Sequence, residues 1–577
     1  MGLQTKIAWT NFTAGELDPA LEGQFLWESY YAGCRRLENF LVQRTGGVTR
    51  RGGTRLVAPV GDADHPVILV KFVWSAGQCY VLEFGHQYLR VFMDRAQVMK
   101  NGAPYQIATP YAAEHLAGLK FYQSGDVMFI THQQVRPHEL NRLAHDDWQL
   151  KEVSFTSMPS AWKDGEWPGA VGMFEQRSVF AGTPDKAITT WFSKAGDPRD
   201  FTTGTDPDDA MEYKIASARQ DGIVWVADHR RLVLATPGGV WYLGSRDGLS
   251  PTTPPKAEIE TSYGAAPLQG LVVRKSLIFV TRDRRRVMEV AYRLDSDDLG
   301  PRDLMLNAGH IARAGIKGLD WSQSPQEVIW AVLDDGSLLA GTYYPPEKVL
   351  AWSRQRTAGY FESVCCIPGP DSDQVWLVVR REIGGQSVRF VEILEDPDCQ
   401  AIEDAYFVDC GLSYQGEPTD QVGGLEHLAG QTVQVLADGA VHRELTVAPD
   451  GTITLDQPAS KVHAGLGYTS RLTTMRAEPG GPGRLAQGSL QRMVGCVLRL
   501  HRTGAAFQVG PSEDELQVLE MRTASDLMDR PLPLFSGDTD KITFATGHSR
   551  QARVCLKQDL PIPMTVLAIM AEVEAND

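Results

Sequence analysis

Short apolar runs alternate with polar, turn-forming residues along most of this chain, and helical periodicity is scarce. An apolar run, a turn and a second apolar run form the signature of a β-hairpin. It occurs at residues 79–92 around Gly85-His86, at 231–243 around Pro237-Gly238-Gly239, at 328–341 around Asp334-Asp335-Gly336, and at 375–393 around Gly384-Gly385. Single runs of the same kind stand at 126–131, 177–182 and 276–281. Their centres lie about 45 to 55 residues apart, the length of one four-stranded propeller blade. Turn-rich stretches between them supply the remaining strands. The pattern predicts a mainly β chain with a β-propeller of about six or seven blades. A large β-sandwich or several small β domains is the competing reading.

The texture changes near residue 400, and Asp396-Pro397-Asp398 marks a boundary. Beyond it, apolar runs flank an Asp438-Gly439 turn and a second turn at Asp450-Gly451. This predicts an antiparallel meander in a smaller β-barrel-like platform domain. Residues 478–484, EPGGPGR, form a breaker-rich loop. Near the end, Pro561 and Pro563 suit an edge or an extended lead-in, not a central strand, and a final paired strand would tie down the C-terminus. The expected organisation is an N-terminal extended or platform segment (1–60), a propeller (61–398), a platform domain (399–480) and a C-terminal β segment (481–577) returning to platform or propeller.

With 577 residues, 43% hydrophobic and 22% charged, the chain has the means to bury large cores and does not read as disordered. Its formal charge of −16 gives it no general affinity for a polyanion. A repulsive wall nevertheless suits a channel through which nucleic acid must slide, and plain solubility is the simpler meaning of the same charge. Eight cysteines are scattered without a CxxC pair. That removes zinc-ribbon and thioredoxin-type chemistry and points to reduced, packed thiols. Met1 to Lys6 lacks an apolar core and fails the myristoylation pattern, so neither signal peptide nor lipid anchor is expected. No run approaches the roughly 18 apolar residues of a membrane span.

Catalytic motifs are missing from the sequence. It contains no HExxH, no GxSxG elbow and no phosphate loop around Gly46-Gly47 or Gly52-Gly53. Asp334-Asp335-Gly336 and Asp438-Gly439 are turn chemistry without the spaced ligands of a calcium loop. Asp283-Arg284-Arg285-Arg286 reads as a solvated turn. No catalytic residue, cofactor or metal is expected, and the chain does not read as an enzyme.

The N-terminal strings NFTAGELDPA (11–20), YYAGCRRLENFLV (30–42) and TGGVTRRGGTR (45–55) resemble the opening of the tail tubular protein B, or tail nozzle, family of short-tailed, podovirus-type phages. Further blocks in the same order are GDVMFITH (125–132) with PHELNR (137–142) and Trp148, FEQRSVFAG (174–182) with TWFSKAGDPRDF (190–201), and HLAGQTV (427–433) with Gly467-Tyr468. Gly52-Gly53 departs from an expected Pro-Gly, and Gln24 from an expected basic residue. The resemblance covers most of the chain. It implies a virion structural protein made in the bacterial cytoplasm and built into the tail. There it would form a homohexameric tube with a propeller in each subunit, docked below an adaptor ring. Tail fibres or spikes would be neighbours, and double-stranded DNA would pass through on ejection without stable membrane association.

Two sets of residues are candidates for that role. Phe12, Glu16, Tyr30, Tyr31, Arg35, Arg36, Arg50 and Arg51 are expected at a subunit or adaptor interface, the arginines facing acidic groups of neighbouring subunits. Ordinary solvated arginines are the plain alternative. The N-terminal segment has three open fates: wrapping a neighbour, returning to pair in the platform, or packing as a first strand of its own chain. Glu478, Pro479, Gly480, Gly481, Pro482, Gly483 and Arg484 form the candidate gate or tip loop. Two other functions compete. One is a carbohydrate-binding or carbohydrate-degrading propeller at the host surface, and the other a receptor-binding module; both rest on fold analogy.

Overall fold

The computed structural model describes residues 3–216, 220–244, 248–293, 298–478, 488–527 and 530–576. Antiparallel meanders follow one another from residue 68 to 394, where the hairpin pattern placed them. Five are sheets of their own: the five-stranded 68–108, and the four-stranded 120–152, 170–214, 225–261 and 271–303. Turn chemistry explains the hairpins. Gly384 and Gly385 sit at φ +58° and +78° between strands Gln374–Ile383 and Gln386–Leu394. Two consecutive positive φ values are what a tight hairpin turn with the right twist requires.

The first strand of each meander packs against the first strand of the next, from Lys120–Ser124 through to Ile68–Ser75, so these strands face a common axis. Neighbouring meanders also share apolar cores. Phe72 and Trp148 meet edge to face at 4.9 Å between the first two. Trp376 and Phe92 meet at 5.7 Å between the last and the first. This is a propeller arrangement, with little helix and short, protected strand edges.

Of the expected six or seven blades, five stand alone as sheets of their own, while the last two meanders belong to larger sheets. Strands Ile316–Ser322, Val328–Leu333, Leu338–Tyr344 and Val349–Gln355 begin a ten-stranded sheet. It continues through Gly15–Glu16, Gly33–Glu38, Ser470–Thr474, Cys555–Gln558, Ala506–Gly510 and Gln517–Glu520. Strands Tyr360–Ile367, Gln374–Ile383 and Gln386–Leu394 take Thr54–Pro59 as their fourth member, with Glu392 opposite Leu56. That sheet runs on to Asp409–Val422 and Ile453–Leu466 through one parallel bridge, Gly411 to Arg55. Residues 54–59, expected in the N-terminal segment, therefore complete a propeller meander.

Outside the propeller, the two ends of the chain pair with each other. Leu3–Trp9 lies antiparallel to Thr565–Asn576, Leu3 opposite Ala575 and Trp9 opposite Ile569. Leu490–Thr503 pairs with the other edge of Thr565–Asn576. Trp9, Phe12, Leu37, Phe40, Leu498, Met564 and Ile569 fill the core beneath. The N-terminal segment thus packs as strands of its own chain. Residues 409–466 form an antiparallel sheet around a separate core that includes Leu425, Leu428, Val435 and Val462. It is not the expected meander: Ile453–Leu466 lies between Asp409–Val422 and Thr432–Ala437, so those two consecutive strands are not neighbours.

All eight cysteines are free and buried. Burial pushes the thiols of Cys399 and Cys555 up to about 11 and that of Cys496 up to about 12. Only the thiolate reacts with a disulfide reagent. The native protein is therefore expected to release almost no chromophore from Ellman's reagent at pH 8, and the unfolded protein eight equivalents. Fast release from the native protein would contradict the packing.

Candidate functional site

The N-terminal arginine string lies where the propeller meets the rest of the chain. Strand Phe40–Val42 hairpins back through Val48–Arg50, which carries Arg50 and Arg51 into the seam between the two large sheets. The two residues are 0% and 1% exposed there.

Arg50 acts on backbone. Its guanidinium donates to the carbonyl oxygens of Tyr468 and Ile562, each at 2.8 Å, to that of Leu560, and to Ser470 Oγ at 3.1 Å. It stacks over Tyr468, 4.3 Å from the ring centre. Arg51 holds Asp409 with two parallel bonds of 2.8 and 2.7 Å. It also donates to Asn39 Oδ1 at 3.1 Å and to the Arg356 carbonyl at 2.9 Å. Asn39, at φ +57°, tolerates the left-handed turn between two strands and accepts from the Arg356 amide as well.

The chain of contacts continues. The Thr54 amide donates to Asp409 Oδ1 at 3.2 Å, and the Thr54 hydroxyl donates to Glu392. Glu392 in turn holds Arg381 bidentately, both bonds 2.8 Å, with both side chains fully buried. N-terminal, propeller and C-terminal residues therefore meet in one buried polar network. Burial pushes the Asp409 carboxyl up, but Arg51, with Arg381 behind it, outweighs that and holds it below the usual carboxylate range.

A second cluster surrounds Glu16, which is 0% exposed. It accepts from the Leu37 amide at 2.9 Å and pairs with Arg354 at 2.7 Å and His310 at 3.0 Å. Glu16 thereby clips the ten-stranded sheet at the point where propeller strands pass into N-terminal ones.

No family model matches this chain, and no curated protein matches it. Among solved structures, the WD40 domain of Neurospora crassa Pan2 is similar at 9% identity and a TM-score of 0.33, over 58% of this chain and 90% of that one.

The structure withdraws five of the eight interface candidates from their expected surface. Phe12, Glu16, Tyr30, Arg50 and Arg51 are buried within the chain. Their partners, Asp409, Arg354 and the carbonyls of 468 and 562, belong to the same chain, so their assignment to an intermolecular surface is corrected, and for Arg50 and Arg51 so is the solvated-arginine alternative. Tyr31, Arg35 and Arg36 are half-buried. Arg35 pairs with Glu22 at 2.7 Å, and Arg36 with Glu38 and Glu513 at 2.9 and 2.7 Å. Of the gate candidates, Glu478 is buried against Arg476 and accepts from Tyr31 through its backbone carbonyl at 3.4 Å. Pro479, Gly480, Gly481, Pro482, Gly483 and Arg484 lie outside the described residues.

Sequence reading missed Asp409, Arg381 and Glu392. Arg381 was the most accessible of the three, because it continues a run, Val375 to Val379, that is apolar at consecutive positions and so buried on both faces. A cation there needs a buried anion. Between the last two meanders and the C-terminal strands lies a cleft of about 490 Å3 whose walls include Arg95, Asp373, Glu395, Asp398 and Arg502. Its charges largely neutralise one another: Arg95 pairs with Glu395, and Arg502 with Asp398 at 2.7 Å. Among the described residues, no group of three or more His, Cys, Asp or Glu is placed to hold a metal ion, and no helix is long and apolar enough to cross a membrane.

Proposed function

We propose that this chain is a structural subunit of a phage tail nozzle, forming a homohexameric ring below an adaptor and conducting double-stranded DNA during ejection. The resemblance of residues 11–55 to that family carries the reading. What supports it further is the position of those residues. Asn39, Arg50, Arg51 and Glu16 lock the propeller to the remaining sheets, which makes each subunit a rigid block of the kind a tube wall needs. The formal charge of −16 suits a wall that repels a polyanion, so that passing DNA finds few adhesive contacts. The role is mechanical and involves no turnover. We further infer that the two fused meanders close the propeller as a seven-membered ring, since residues 360–394 share a core with residues 68–108.

Six identical subunits need head-to-tail contacts whose rotation closes. The buried arginines are not available for these, which leaves outer surfaces such as that around Arg35, Arg36 and Glu513. Gold-labelled antibody against the chain is expected to decorate the distal end of the tail in electron micrographs of the virion. Labelling of the capsid alone, or none, would refute the assignment.

A further inference from the structure

A recess of about 600 Å3 opens at the inner ends of four consecutive blades. Its wall includes Gly118, Lys120, His132, Gln134, Ile223 and Pro267. Lys120 begins the inner strand Lys120–Ser124, while Ile223 and Pro267 stand just before the inner strands Trp225–Asp228 and Leu271–Val273. The recess therefore sits where the propeller axis reaches the surface. No residue of the arginine joint lines it, so the inference is independent of the nozzle reading.

Two donors that no carboxylate pairs with define its chemistry; the wall's own carboxylate, Glu114, is turned to solvent and lies 3.8 Å from His115 Nε2. Lys120 is 5% exposed, and its ammonium reaches only the carbonyl oxygens of Gly118 and Leu119, at 3.4 and 3.3 Å. Among the described residues no carboxylate pairs with it. An ammonium so placed loses its water without gaining a counter-charge, an arrangement that costs stability unless something else compensates it. His132 accepts the Gln134 amide proton at Nδ1, 3.2 Å away, which leaves its own proton on Nε2. That nitrogen lies over Gly118, where any Cβ would come within 2.7 Å of it. Gly118 thus keeps the imidazole N–H beside the cavity.

The other titratable groups nearby are His115, whose ring centre is 4.8 Å from that of His132, and Glu114, whose side chain is 81% exposed. Burial, then His115 and Lys120, lowers His132 to about 4, so it is a neutral donor at pH 7. Burial alone lowers Lys120 to about 8, which leaves it mostly protonated at that pH. Ile223, Val224 and Pro267 supply an apolar wall opposite. The volume falls within the range of small-molecule pockets.

We propose that this recess binds a small organic anion, its oxyanion head accepting from Lys120 Nζ and His132 Nε2 and its short apolar body resting on Ile223, Val224 and Pro267. A carboxylate and a phosphate share the head-group chemistry.

Calorimetric titration of the full-length protein with butyrate and, separately, with inorganic phosphate tests this. One saturable site is expected at pH 7, with a Kd of about 1 mM or tighter for at least one probe. Saturation by butyrate identifies a carboxylate site, and saturation by phosphate a phosphate site. Affinity should fall about thirtyfold by pH 9.5, as Lys120, lowered to about 8, loses its proton. Lys120→Met, similar in volume, should abolish binding while leaving the melting temperature unchanged or higher. If that variant fails to fold, bound anion should still protect Lys120 of the unaltered protein from acetic anhydride, as read by mass spectrometry. Failure of both probes to saturate, equal affinity at pH 7 and 9.5, wild-type binding by a folded Lys120→Met, or unchanged labelling of Lys120 would overturn the proposal.

Discussion

Replacing Asp409 by alanine is expected to destabilise the protein by about 3–5 kcal/mol, the usual cost of stranding one charge of a buried pair. Arg51 would keep its place, 1% exposed, with carbonyl and amide oxygens as its only acceptors. The Thr54 amide would lose its acceptor at the same time. The midpoint of urea unfolding reads the effect. The double variant Arg51→Met, Asp409→Leu should recover part of the loss, since it removes both charges. Recovery is incomplete because Asn39 Oδ1 and the Arg356 carbonyl then lose a donor.

The pH dependence has a definite sign. A carboxyl held below its unfolded value of about 3.9 adds stability that is complete above that pH and disappears as the pH falls through the folded value. Acid should therefore weaken the wild type more steeply than Asp409→Ala below about pH 4. A variant that unfolds at the wild-type urea midpoint would show that the pair contributes little to the joint.

The second large effect is expected at Gly53. A Cβ there would sit 2.0 Å from the Val408 carbonyl oxygen and 2.6 Å from the Val408 nitrogen. At Gly52 it would sit 2.0 Å from the Glu395 carbonyl oxygen. These are backbone atoms that cannot swing aside. They are also held in place: the Gly53 amide donates to the Tyr406 carbonyl at 2.8 Å, and the Glu395 amide donates to the Gly53 carbonyl at 2.9 Å. The two glycines are thus threaded between the start and the end of the 395–408 connection. Gly53→Ala must spread that passage, at a cost of about 3 kcal/mol, the upper range for overpacking. Gly77→Ala is the control, because no atom lies within 4 Å of its Cβ position. It should shift the urea midpoint little, and equal losses at the two sites would contradict the close approach.

These glycines show where sequence reading stopped. Gly52-Gly53 was recognised as no phosphate loop, but its purpose depends on segments about 350 residues away in the chain, which no local pattern reveals. The hairpins were legible because turn residues and apolar runs act locally: Gly384-Gly385 and Asp334-Asp335-Gly336 turn where expected. The final strand was legible too, from the two prolines ahead of it. Sheet fusion was not. Thr54–Pro59 completes a meander that ends at Leu394, and Gly15–Glu16, only two residues long, pairs with Val349–Gln355 on one side and Gly33–Glu38 on the other within one sheet.

Arg50 and Arg51 were misread for the same reason. A string rich in glycine and arginine has the composition of a solvated loop. Only the crossing of two sheets, with Asp409 and Tyr468 brought in from the C-terminal part, makes it an interior. The Lys120 recess left no trace in sequence, since a single lysine at the head of a strand looks the same buried or exposed.

The central claim is assembly into a conduit, and native mass spectrometry of the purified chain, alone and mixed with the proposed adaptor, tests it most directly, with electron microscopy of the same samples. The account predicts a six-subunit ring with a central hole, formed by the chain itself or templated by the adaptor. A chain that stays a compact monomer under both conditions would contradict it.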